Sequence, residues 1–100
     1  MPYGLSQTEL DTIVQTIVQV DNITEAILFG SRAKVTYRNG SDIDLALKGD
    51  KLGLQELTTL YVMLDELPLL YKFDLVIFDR ITEPALVEHI ERVGVILYRK

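Results

Sequence analysis

The sequence predicts one α/β (α+β) domain, in which helices and strands pack as layers around a single core. Two observations carry this. Short apolar runs of strand character alternate with stretches of helical periodicity from one end to the other. The 100-residue length also suits one core, which at this size buries roughly two-thirds of the unfolded chain's surface.

The elements follow in order. Ser6 and Glu9 form an S-x-x-E capping box. Leu10, Ile13, Val14, Ile17 and Val18 follow at helical spacing, so residues 6–20 are expected to be an amphipathic helix. Residues 24–29 read as a buried strand and 31–37 as a short helix. Asn39-Gly40 marks a turn, and 42–48 is the second strand. Leu57, Leu60, Tyr61 and Leu64 set the core face of a helix over about 53–66. Pro68 breaks that pattern ahead of a strand over 71–78. Its apolar residues Phe73, Leu75, Val76, Ile77 and Phe78 suggest a central, buried position. Thr82 is the expected N-cap of the last helix, with Pro84 in its first turn. Leu86, Val87 and Ile90 give that helix its buried stripe. Gly94 ends it, and Val95 to Tyr98 form a final strand.

Composition removes several function classes. The formal net charge of −5 argues against broad nucleic-acid binding, which requires a basic stripe to neutralise phosphates. No apolar stretch approaches the ~20 residues of a membrane span, and the N-terminus has no signal-peptide pattern. Cysteine is absent, so disulfides and zinc-thiolate sites are excluded. A cytoplasmic protein is expected, with no direct nucleic-acid or membrane partner.

The chemistry concentrates in Gly30-Ser31, followed after ten residues by Asp42-Ile43-Asp44. Side chains of a strand alternate faces, so Asp42 and Asp44 point the same way while Ile43 and Leu45 enter the opposite layer. Two strand rises separate the Asp42 and Asp44 Cα atoms by about 6.6 Å. Carboxylates so placed can converge on a divalent cation, or on a pair about 3.5–4 Å apart. A Gly-Ser between a strand and a helix offers backbone N–H groups and a hydroxyl to a phosphate. Metal carboxylates beside a phosphate cradle describe a site for phosphoryl or nucleotidyl transfer. An isolated D-x-D is more often a turn with an Asx cap; the Gly-Ser at this spacing, between two strand-like runs, favours catalysis.

The segment GSRAKVTYRNGSDIDLAL resembles the nucleotidyltransferase superfamily to which DNA polymerase β belongs. More closely it is similar to the minimal nucleotidyltransferases, or MNT proteins, whose pattern is G-S-x10-D-x-D. The resemblance runs over nearly the whole chain, with one departure: Val35 stands where many relatives have Gly. It implies the nucleotidyltransferase fold, a mixed, mostly antiparallel sheet flanked by helices. It also implies a third carboxylate on a later strand, and Asp74 in YKFDLVIF stands in that place. A lone Asp in such a run can instead be an edge-strand gatekeeper, but metal or base duty is the stronger reading.

By resemblance, Asp42, Asp44 and Asp74 are the expected catalytic and metal-holding residues, and Mg²⁺ is the expected cofactor, as two ions, with Mn²⁺ a substitute. Gly30, Ser31 and Arg32 are the expected nucleotide-binding residues, with Lys34 weighed equally with Arg32 and Arg38 ranked below them. The expected activity is AMP transfer from ATP. Nucleotidyltransferases acting on small molecules or nucleic-acid ends generally carry extra domains that hold the acceptor, and none is expected here. The expected acceptor is therefore a hydroxyl, tyrosine first, on a small helical-bundle protein of the HEPN type. That partner, also described as a nucleotidyltransferase substrate-binding protein, implies a hetero-oligomer in which the MNT chain is the antitoxin of a toxin–antitoxin pair. Neutralisation by binding alone, and transfer to a small molecule, stay open as alternatives. His89, the sole histidine, reads as a half-exposed surface residue, and Tyr61 and Tyr71 read as core aromatics with solvated hydroxyls.

Overall fold

Ser6 opens the first helix as its sequence requires. Its Oγ accepts the Glu9 N–H at 3.1 Å, and Glu9 Oε1 accepts the Ser6 N–H at 2.8 Å. The computed structural model, which describes residues 2–38 and 40–100, places helix α1 at Gln7–Val18, with Leu10, Ile13 and Ile17 buried. Strand β1 (Ile23–Phe29) is buried without interruption from Ala26 to Phe29, because both faces of the strand are covered.

Helix α2 is a single turn, Gly30–Ala33, shorter than the predicted 31–37. Val35 takes φ 60°, and the Thr36 N–H turns back onto the Ser31 carbonyl at 2.9 Å, which stops propagation. Gly40 has φ 83°, as a turn needs; Asn39, the other half of the predicted turn, lies outside the described residues. Strand β2 is Ile43–Gly49, α3 is Leu54–Asp65, and β3 is Phe73–Ile77. Helix α4 is Pro84–Val93 and β4 is Val95–Arg99. Thr82 does not cap α4. Glu83 occupies the cap position with extended backbone and no side-chain bond, because Pro84 forces the residue before it out of helical conformation while fitting the first helical position itself.

The sheet order is β3-β2-β1-β4. Strand β1 pairs antiparallel with β2 and with β4, while β2 and β3 run parallel. The sheet is thus mixed and mostly antiparallel. Strand β3 is an edge strand, not the central one its apolar run suggested. Only Leu75 and Ile77 are buried in it; Val76 and Phe78 lie half-covered against the other face of the sheet. The Leu75 N–H donates to the Tyr61 hydroxyl at 2.9 Å, so α3 closes part of the edge.

Alternation sorts the strands into two faces. Ile43, Leu45, Leu47, Leu28 and Leu75 join Ile13, Ile17, Leu60 and Leu64 in the main core beneath α1 and α3. Ile27, Phe29 and Ala46 turn the other way and pack with Ile90 of α4. Asp44 and Asp74 have the parity of Ala46 and Val76, and so belong to the α4 face.

Candidate active site

Three backbone relationships assemble the site. In the parallel ladder Asp44 pairs with Asp74, so two carboxylates stand side by side on neighbouring strands about 4.8 Å apart. In the antiparallel ladder Asp44 pairs with Phe29, which brings the end of β1, and Gly30 after it, against Asp44. Asp42 precedes β2, and the Ile43 N–H continues the pairing through the Lys72 carbonyl at 2.9 Å. Asp42 and Asp74 are exposed and Asp44 is half-buried. Ile43 and Leu45, fully buried on the opposite face, fix which way the acidic side chains must turn.

Gly30 is required twice over. Its φ is 75°, a region where a Cβ is strained. A Cβ there would also collide with Asp44 Oδ2. The glycine thus lets the strand end approach the carboxylate. Its N–H is not free for a phosphate: it donates to His89 Nε2 at 3.2 Å. The His89 ring meets Phe29 edge-on, with centroids 6.2 Å apart. This histidine is the residue sequence reasoning missed, because its partner lies 59 positions away. Ser31 is half-exposed beside Gly30. Being at the start of a helical turn, its amide has no intrahelical acceptor.

Burial first, then the charges of Asp74 and Asp42, push the Asp44 carboxyl up to about 6. The three aspartates thus form a region of unbalanced negative charge, which a divalent cation would neutralise. Three carboxylates are a hard oxygen donor set of the kind Mg²⁺ and Mn²⁺ take. Among the described residues no three acidic, histidine or cysteine side chains already converge as a metal cage. The donor chemistry nonetheless fits a divalent metal, with Asp42 and Asp74 exposed beside half-buried Asp44.

Arg32 is placed elsewhere than a triphosphate contact requires. It is 2% exposed. Its Nε and Nη2 donate to the Ser41 carbonyl at 3.1 and 2.8 Å, and Nη1 donates to the Tyr3 carbonyl at 2.9 Å. Its guanidinium carbon lies 5.4 and 4.9 Å from the ring centroids of Tyr37 and Tyr71. A guanidinium so engaged pins the loop at Ser41, the residue before Asp42. Lys34 and Arg38 are exposed. Tyr71 donates its hydroxyl to Glu9 Oε1 at 3.4 Å, so like Tyr61 it bonds to protein. An apolar groove of about 460 Å³ lined by Leu54, Leu57, Val76, Ile81 and Leu86 contains none of the three aspartates.

Comparison with known proteins agrees with this fold. The sequence profile described as Polymerase beta, Nucleotidyltransferase matches residues 11–100. Among solved structures, a toxin–antitoxin complex with AMP-PNP is 23% identical with a TM-score of 0.69, the match covering 91% of this chain and 73% of the other. The toxin–antitoxin MntA-HepT is 21% identical with a TM-score of 0.65, covering 95% and 74%. A tri-AMPylated Shewanella oneidensis HEPN toxin in complex with MNT antitoxin is 20% identical with a TM-score of 0.58, covering 91% and 73%. No curated protein gives a significant match.

Proposed function

The chain belongs to the polymerase β nucleotidyltransferase family, and we propose that it transfers AMP from ATP, with Mg²⁺, to a tyrosine hydroxyl of a small helical HEPN-type partner. On this reading it is the antitoxin of a toxin–antitoxin pair. The observation that carries the chemistry is the pairing of Asp44 with Asp74 on adjacent strands, with Gly30 lying against Asp44. The partner class is supported by the MNT–HEPN complexes among the structural neighbours, one of which holds an AMPylated toxin.

Asp42, Asp44 and Asp74 would hold the metal. Bound there, Mg²⁺ supplies charge neutralisation for the triphosphate and for the oxygens that enter and leave phosphorus. The Ser31 hydroxyl and amide bind the terminal phosphates; the Gly30 amide, already engaged, shapes the turn. The acceptor hydroxyl loses its proton to the Asp74 carboxylate, which is exposed at the sheet edge. Its oxygen forms a bond to the α-phosphorus as the bond to the β-phosphate oxygen breaks. The products are the AMP-modified hydroxyl and pyrophosphate.

Intact-mass spectrometry of the partner, after incubation with this protein, ATP and Mg²⁺, tests the proposal. The partner gains AMP, and Asp44→Asn slows the gain by about a hundredfold or more, since losing a metal carboxylate removes several kcal/mol of transition-state stabilisation. Partner purified away after treatment stays neutralised. Full recovery of partner activity on separation would instead mean neutralisation by binding alone.

A further inference from the structure

We propose that His89 is a positioning residue of the nucleotide site, holding the Gly30 amide through Nε2 so that Ser31 and Asp44 are set for the nucleotide. This rests on the nucleotidyl-transfer reading and assigns a role that the three aspartates and Gly-Ser do not supply. Glycine is the least restrained of residues, and Gly30 sits at φ 75° at the point where β1 gives way to the single turn α2. Nothing in the residue itself fixes that conformation. On its C-terminal side the Gly30 carbonyl accepts the Lys34 N–H at 3.2 Å. On its N-terminal side, Asp44 occupies the space where a Cβ would project, and His89 accepts the N–H. The Phe29–Gly30 peptide cannot rotate without breaking the bond to His89.

The acceptor comes from a different layer of the molecule. Ile90, the next residue on α4, is buried with Ile27, Phe29 and Ala46, which anchors the helix on the sheet and directs the His89 ring to the Phe29–Gly30 junction. Acceptance at Nε2 requires the neutral tautomer with its proton on Nδ1. The bond therefore orients the peptide without carrying charge into a site that already holds three carboxylates. His89 does not touch the phosphates on this account; it acts through Gly30.

Glutamine separates this role from simple packing, because its Oε1 reaches a position comparable to Nε2 and accepts a hydrogen bond, whereas the ring is lost. Binding of Mg²⁺ with AMP-PNP would be measured by calorimetry for the parent, His89→Gln and His89→Ala. Exchange of the Gly30 amide would be followed by NMR. His89→Ala is expected to weaken nucleotide binding about fivefold and to speed Gly30 exchange about tenfold, the effect of losing one hydrogen bond. His89→Gln is expected within about twofold of the parent in both. Equal losses in the two variants would overturn the proposal in favour of ring packing on Phe29. Unchanged nucleotide binding in His89→Ala would overturn it as well. A parent that fails to bind Mg²⁺ with AMP-PNP would remove the nucleotidyl-transfer reading itself, an outcome distinct from either.

Discussion

Asp44 and Asp74 are register partners across the parallel pair β2–β3, although thirty positions separate them in the chain. Adjacent parallel strands leave such side chains no choice but the same face, so the repulsion between them is built into the backbone. Burial and its two acidic neighbours raise Asp44 to about 6.

That shift makes metal-free stability depend on pH. A carboxyl whose folded pKa lies above its unfolded value binds more protons in the folded state, so stability falls as pH rises through the window from about 3.8 to about 6. In EDTA, Asp44→Asn should melt with the parent near pH 4 and above it at pH 7.5. Mg²⁺ with ATP then stabilises only an intact site, by about 2.7 kcal/mol at a hundredfold excess over Kd. For a domain this size that raises the parent's Tm by about 10 °C or more, closing or reversing the gap. Equal shifts in parent and variant would show that Asp44 holds no metal.

Gly30→Ala should cost about 2–4 kcal/mol through the combined positive φ and the collision with Asp44 Oδ2. Asp44→Ala removes the collision but not the backbone strain. A double-mutant cycle by urea unfolding should thus show coupling of about 1 kcal/mol or more between the two positions. Strict additivity would mean that the two residues do not touch.

Val35 pulls in the opposite direction. It is a β-branched residue at φ 60°, 66% exposed, where glycine is at ease and valine is not. Val35→Gly should stabilise the protein by about 1 kcal/mol, the left-handed strain relieved less the extra entropy of glycine in the unfolded chain. A Tm rise of about 4–8 °C is the expected readout. A fall would show that the Val35 side chain makes contacts worth more than its strain.

Arg32→Ala leaves the Ser41 and Tyr3 carbonyls without their donors and should cost about 3 kcal/mol. Arg32→Lys should recover only part of this, since an ammonium cannot make the guanidinium fork. Urea unfolding with ATP titration checks both. A triphosphate contact would instead show intact stability and a raised KM for ATP.

The local elements were legible because their signals are local. Ser6 and Glu9 specify their own cap, the alternation around Ile43 and Leu45 sets which way Asp44 faces, and Gly-Ser with D-x-D at its spacing states the chemistry. Three features were not legible, and each depends on what a residue meets across the fold. The apolar run of β3 suggested a central strand, yet pairing on one side only leaves it at the edge, with Asp74 exposed. Arg32, one position past Ser31, looked free to reach a phosphate until the return of the loop at Ser41 and the rings of Tyr37 and Tyr71 enclosed it. His89 has no chemical company within its own helix, and gains a role only when α4 folds back onto β1. Sequence by itself determined what is dictated by periodicity, capping and side-chain type: the elements, their faces and where the acidic side chains fall along the strands. The tertiary structure decided which of those groups are neighbours, because hydrogen bonds and burial between distant segments depend on the order in which strands pair.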